Sequence, residues 1–179
     1  MNFDIGYIIN YILNYDTGIP FIIFIGIITI VCSIVLFLYC TKKNNRMFER
    51  KASVCMFIGY VLLVLCTTII FRTESDEMKY VLCPLGSYKS IYNRMLAQNI
   101  MNIVLFMPIG FLAGAASRKK HVLNVVLIGV VLSLFIEVIQ LISKRGICNI
   151  DDVIHNTLGC TIGYGVFRLC SLLRTTCIK

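Results

Sequence analysis

The sequence predicts an all-α integral membrane protein with five transmembrane helices, a short N-terminal interfacial helix, the N-terminus outside and the C-terminus in the cytoplasm. Three observations carry that expectation. Hydrophobic residues make up 58% and charged residues 15% of the 179 residues, against roughly 45–50% and about 25% in soluble domains. Mean hydropathy is +0.84. The apolar residues fall in five runs of bilayer-crossing length, and the basic residues cluster between alternate runs. This balance excludes a disordered chain, a coiled coil and an ordinary cytosolic domain. The net charge of +8 does not imply a nucleic-acid partner, because the charges form short clusters between apolar runs.

A bilayer core about 30 Å thick takes roughly 20 helical residues to cross. The first run extends from Pro20 to Tyr39 without a charge, and the second from Ala52 to Phe71. The third extends from Ile100 to Ala116, with room to continue back through Gln98 and Asn99, and contains Pro108, which should bend it. The fourth runs from Val122 to Ser143 with a single acid, Glu137, and the fifth from Val153 to about Leu173. Backbone amides in lipid need internal partners, so each run is read as a helix. Before the first run, Ile5, Ile8, Ile9, Ile12 and Leu13 share one helical stripe and Asn2, Gly6, Asn10 and Asn14 another. That pattern suits a helix lying on the outer membrane surface; an unstructured tail is the alternative. The chain divides into 1–51 (interfacial segment, first helix and basic loop), 52–175 (a four-helix membrane domain) and 176–179 (a tail).

Loop charge sets the orientation. Lys42, Lys43, Arg46, Arg50, Lys51, Arg118, Lys119, Lys120, Arg168, Arg174 and Lys179 fall on one side, with Glu49 as its single acid. The other side has Arg72, Lys79, Lys89, Arg94, Lys144 and Arg145, and also Asp4, Asp16, Glu74, Asp76, Glu77, Asp151 and Asp152. The more basic side is placed in the cytoplasm. Of the nine cysteines, only Cys83 and Cys148 fall outside, where they would be able to pair if their geometry allowed. No metal site is expected, since His121 and His155 lie on opposite sides.

Polar residues inside a span are costly and therefore informative. Ser133, Glu137, Gln140 and Lys144 form one stripe on the fourth helix. Asn99 and Asn102 lie at the outer end of the third. Asp152, Asn156, Gly159 and Gly163 share a stripe on the fifth, where Asp151 is a candidate cap. Glu137 lies roughly 10 Å deep and needs a cation, a proton or a wet cavity; Arg72 and Arg145 match its depth. A structural ion pair is the bland account of Glu137, and a cleft open to the outside the sharper one. Gly110 and Gly114, and Gly159 and Gly163, form two G-x-x-x-G spacings that favour close helix contact. The outer connection from Thr73 to Ala97 is long enough to be functional; it reads either as a lid over the polar cleft, with Ser87–Leu96 a short interfacial helix, or as a plain connector.

The stretch Asn102-Ile-Val-Leu-Phe106-Met-Pro108-Ile-Gly110 resembles the N-x-x-x-F-x-P-x-G block of the VanZ-like membrane proteins. Ser133, Glu137, Gln140, Arg145, Asp151-Asp152, Asn156-Thr157, Gly159 and Gly163 resemble that family's second block, in order and correctly spaced. Val81-Leu82-Cys83-Pro84-Leu85 is similar to its N-L-x-P-F element, with Val81 and Leu85 at the polar and aromatic positions. The similarity covers roughly 52–175, and the first helix and N-terminal segment read as additions. The resemblance implies a multi-pass protein of the bacterial plasma membrane, related to a named member associated with low-level teicoplanin resistance.

Three functions compete. In the first, an outward cleft engages a membrane lipid, a lipid-linked cell-wall precursor or a lipoglycopeptide. Arg72 and Arg145 meet its anionic group, and Asn99, Asn102, Gln140, Asp151, Asp152 and Asn156 its polar head. In the second, the protein modifies an envelope lipid, with Glu137 as acid or base, Asp152 as a further catalytic candidate, and Mg²⁺ at Asp151 and Asp152 as a cofactor of that reading alone. An ion-coupled transporter is weakest, because one acid lies deep and no inverted repeat is visible. No Walker, dinucleotide or triad signature is present.

Overall fold

A computed structural model of the chain describes residues 19–42, 46–70, 80–84, 93–117, 121–145 and 147–177. They form five α-helices: α1 (Ile19–Lys42), α2 (Arg46–Leu65), α3 (Asn93–Ala116), α4 (Val122–Ser143) and α5 (Ile150–Cys177). A π-helical turn, Cys66–Ile70, extends α2. Two short strands, β1 (Tyr80–Val81) and β2 (Cys148–Asn149), pair in parallel, with Tyr80 opposite Cys148 and Val81 opposite Asn149. The expected N-terminal interfacial helix and Arg72 lie outside the described residues.

The side chains are distributed for lipid. Ile27, Val31, Val35 and Leu38 on α1, Ile58 and Leu62 on α2, and Leu127, Val131, Phe135 and Val138 on α4 are exposed. Ser33, Glu49, Ser53, Asn99, Ser133, Glu137, Gln140, Asp151, Asp152, His155 and Asn156 are buried. Water would select the reverse arrangement; hydrocarbon selects this one. Three helical stretches, Arg46–Ile69, Leu96–Ala116 and Val122–Ser143, are long and apolar enough to cross a membrane. Some hydroxyls within the helices are satisfied locally: Thr29 donates to the Ile25 carbonyl at 2.8 Å and Ser33 to that of Thr29 at 2.6 Å.

The helices outrun the apolar runs at several ends. α2 begins at Arg46 and not at Ala52, which turns much of the expected basic loop into the first turns of a helix. α3 does continue back through Asn99 and Gln98, and further to Asn93. The end of the outer connection, Asn93–Leu96, thus belongs to α3 and not to a separate helix; residues 85–92 lie outside the described residues. α5 begins at Ile150, three residues ahead of the expected Val153.

Contacts fix the helix directions. On α3 and α5, a Cβ added to Gly159 would strike the Ile103 carbonyl, one on Gly163 the Met107 carbonyl, and one on Gly110 the Cys160 carbonyl. Residue numbers rise together along this seam, so α3 and α5 run parallel. Both G-x-x-x-G spacings face it, since Gly114 meets Phe167 and Tyr164. Backbone touches backbone there, as small residues permit, and this is the most extensive helix contact in the bundle. α4 runs the other way along α5: Gly129 packs on Cys160 and Thr157, and Ser133 on Asn156. The same seam is buttressed from the far side, where Tyr60 of α2 donates to the Leu105 carbonyl at 3.0 Å. A side chain at Gly26 of α1 would meet the Tyr60 hydroxyl and the Pro108 ring. Phe37, Phe111 and Phe167 form edge-to-face pairs at 6.0 and 5.8 Å deeper in the bundle.

Candidate functional site

One end of the bundle gathers the polar residues of four elements: the end of α2, the start of α3, the end of α4 and the start of α5. The π turn ending α2 is the local reason for the first of these. A π turn unsettles the regular carbonyl pattern, and Gln140 Nε2 donates to the Thr68 carbonyl at 3.1 Å. The hydroxyls of Thr67 and Thr68 turn back to the Val64 carbonyl at 3.0 and 2.7 Å.

α4 ends on the same cluster. Lys144 adopts the left-handed conformation at φ 55°, and the Arg145 N–H returns to the Gln140 carbonyl at 3.0 Å. This is a Schellman-type ending, with lysine where glycine is commoner. The chain then turns into β2 and α5 within a few residues. That short return places the Asn149 N–H on Glu137 Oε2 at 2.7 Å. The Cys148 thiol also hydrogen-bonds Glu137, and burial first, then the Glu137 and Asp152 charges, push this thiol above its ordinary pKa. The deep acid of α4 therefore holds the loop that opens α5. The coupling expected with Arg72 falls on a residue outside the described set.

Asn149, not Asp151, caps α5. Its Oδ1 accepts the Asp151 N–H at 3.1 Å, the bond an N-cap asparagine makes. Asp151 and Asp152 lie in the first turn, where carboxylates suit the helix dipole. Asp151 is 0% exposed and Asp152 2%. Asp152 Oδ1 accepts from Asn149 Nδ2 at 3.2 Å and Oδ2 from Gln98 Nε2 at 3.3 Å. Both of its oxygens thus face amide donors, an arrangement that suits an anion held by N–H groups better than a metal ligand. His155 Nδ1 lies 2.6 Å from the Asp151 carbonyl.

Of the stripe expected on α4, Ser133, Glu137 and Gln140 are buried together, but Lys144 lies past the helix end and is exposed. Asp152, Asn156, Gly159 and Gly163 are buried together on α5. Asn156 Nδ2 donates to Ser133 Oγ at 2.8 Å. The glycine register puts Asn99 and Asn102 of α3 at the level of the first turns of α5. Asn99 Nδ2, Asn102 Nδ2, Gln140 Oε1, Asn156 Oδ1 and Thr157 Oγ1 are buried without a hydrogen-bond partner. Each such atom costs about 1–3 kcal/mol, and native proteins keep few of them.

Sequence reasoning missed Gln98, Asn149 and the Thr68 carbonyl. The run Asn-Ile-Asp-Asp carried a readable signal for Asn149, an N-cap residue ahead of acids in a first turn. Cys83 and Cys148 are both free thiols. Among the described residues, no group of three or more His, Cys, Asp or Glu converges as a metal site would require.

A family model described as VanZ/LLP1 matches residues 24–171. No curated protein and no solved structure matches the chain. The match begins within α1, earlier than the 52–175 extent read from the motifs. α1 is therefore part of the matched region and not an addition, in keeping with its contact through Gly26 to Tyr60 and Pro108.

Proposed function

Because this chain belongs to the VanZ/LLP1 family, which is associated with teicoplanin resistance, we propose that it is a multi-pass plasma-membrane protein that engages the polar head of an amphiphilic envelope molecule. Five helices cross the bilayer, with the N-terminus outside. The ligand is a teicoplanin-type lipoglycopeptide or a lipid-linked cell-wall precursor, held at the outer leaflet. The observation that carries this reading is the set of orphaned polar atoms on α3, α4 and α5. Asn99 and Asn102 offer N–H groups, Gln140 and Asn156 offer carbonyl oxygens, and a ligand that both accepts and donates would satisfy all four. Arg72 and Arg145 are assigned to its anionic group. Asp151, Asp152 and Glu137 hold the start of α5 in place around it.

The alternative, an enzyme acting on an envelope lipid with Glu137 as acid or base, draws less support. Glu137 already accepts the Asn149 N–H at 2.7 Å and the Cys148 thiol, which suits an anchor for the loop more than a group free to exchange protons with substrate.

The experiment replaces Asn102 with leucine, an apolar residue of similar volume. Removing an unpartnered polar group leaves stability unchanged or raises it. If Asn102 serves a ligand, teicoplanin susceptibility rises while the membrane level of the protein holds. Full protection by Asn102→Leu, and by Asn99→Leu as well, would refute the binding site. Glu137→Gln addresses the alternative: a folded, inserted and wholly inactive protein would favour the enzyme.

A further inference from the structure

We propose that the end of the bundle opposite Glu137 carries a second site, which grips the phosphate of a membrane lipid through Arg174. It rests on the chain lying in a bilayer and is independent of what the Glu137 end binds. Arg174 Nη1 donates to Glu49 Oε2 at 2.8 Å, and both side chains are nine-tenths buried. The guanidinium also lies 5.5 Å from the centre of the Phe37 ring. α1, α2 and α5 thus meet at this one group. Arg174 Nε and Nη2 are buried without a hydrogen-bond partner.

The identity of those two atoms matters. Nε–H and Nη2–H lie along one edge of the planar guanidinium, and that edge is a fork that meets two oxygens of one oxyanion at once. Glu49 is engaged at Nη1, away from the fork. The other described acids, Glu137, Asp151 and Asp152, stand at the opposite end of the bundle. Among the described residues no second carboxylate is there to fill the fork, and a buried charged donor is a costly thing to leave unmatched.

The surroundings select the oxyanion. Arg46, Arg50 and Lys51 share the first turns of α2 with the single acid Glu49. Arg50 Nε donates to the Ala116 carbonyl at 2.9 Å and holds the end of α3 against this corner. Net positive charge favours an anion. Met47, Phe48, Leu172 and Leu173 are exposed on the same turns of α2 and α5. Acyl chains suit that apolar surround, and a freely soluble anion does not. The shared chemistry is a phosphate, and the source assigned is the headgroup of an anionic phospholipid.

Native mass spectrometry of the full-length protein, released from detergent micelles, tests this. The probes are phosphatidylglycerol, diacylglycerol and inorganic phosphate. Phosphatidylglycerol adducts should form in preference to diacylglycerol adducts. Arg174→Lys keeps the charge and loses the fork, and should weaken phosphatidylglycerol binding roughly tenfold to a hundredfold. Glu49→Gln should retain binding or strengthen it. Should Arg174→Lys fold poorly, the neutral pair Glu49→Gln with Arg174→Gln keeps the packing and should lose the adduct. Equal binding of phosphatidylglycerol and diacylglycerol, or parental binding by Arg174→Lys, overturns the site. Displacement of the lipid by equimolar inorganic phosphate overturns the lipid assignment in favour of a soluble anion.

Discussion

Replacing Gly163 with alanine demands space that the α3–α5 seam does not have. The added Cβ would lie 3.0 Å from the Met107 Cα and 2.8 Å from its carbonyl carbon, and closer still to the carbonyl oxygen. Carbon–oxygen contacts between backbones settle near 3.3–3.6 Å. The helices must therefore separate by something on the order of 1 Å, and a gap of that size forfeits roughly a quarter to a half of each dispersion contact along it. Overpacking of this kind costs about 1–3 kcal/mol. Against it stands the gain of about 0.5–1 kcal/mol that alanine brings over glycine inside a helix. The bundle supplies its own control: a Cβ at Gly165 or Gly59 would meet nothing within 4 Å. Gly165→Ala and Gly59→Ala should be neutral or stabilising, whereas Gly163→Ala, Gly110→Ala and Gly159→Ala should destabilise. Equilibrium unfolding in detergent, with matched expression, reads the difference. Identical stabilities for Gly163→Ala and Gly165→Ala would refute the claim that the two backbones touch. Gly110 and Gly163 share one seam, so their double mutant should depart from additivity.

Three further outcomes are expected. Cys148 should alkylate more slowly than the exposed Cys83 at a given pH, because its raised pKa keeps it a neutral thiol further into the alkaline range; Glu137→Gln removes a negative neighbour and should shift its pH–rate curve toward lower pH, as single-cysteine variants would report. Asn149→Ala should lower stability by about 0.5–2 kcal/mol through loss of the α5 cap, measured by unfolding in detergent, and Asp151→Asn should leave that cap intact because the acceptor belongs to Asn149. On a cysteine-free background, single cysteines at positions 45 and 117 should resist an impermeant reagent applied to intact cells while those at 14 and 75 react; labelling of position 45 would invert the topology.

The helices were legible because lipid imposes a length and an apolar composition on any segment that crosses it. Glu137, Gln140 and Asn156 were legible for the complementary reason: polar atoms are too costly in hydrocarbon to be incidental. Asn149 and Gln98 were harder to see. Both lie beyond the apolar runs, where the lipid rule is silent and partners are set by how helix ends meet. Glu49 shows the same limit. In the sequence it is only the single acid among loop charges, yet α2 begins at Arg46 and carries it into contact with a residue 125 positions away. No local pattern encodes such a pair. The place of α1 in the matched region was not legible because α1 carries none of the motif residues, and its contact through Gly26 to Tyr60 and Pro108 exists only in the folded bundle.

α5 closes both ends of the bundle, through Asn149, Asp152 and Asn156 at one and Arg174 at the other. This has a consequence for biosynthesis. In the five-span arrangement proposed above, synthesis from the N-terminus puts α1 to α4 in place before α5 emerges. During that interval Ser133, Glu137, Gln98 and Glu49 stand in or near lipid without the groups that later satisfy them. The half-made protein is thus marked as incomplete by its own exposed polarity. A chain cut short before Ile150 would leave those groups unsatisfied permanently, so the fifth helix is the element that completes the polar pairing at both ends of the bundle.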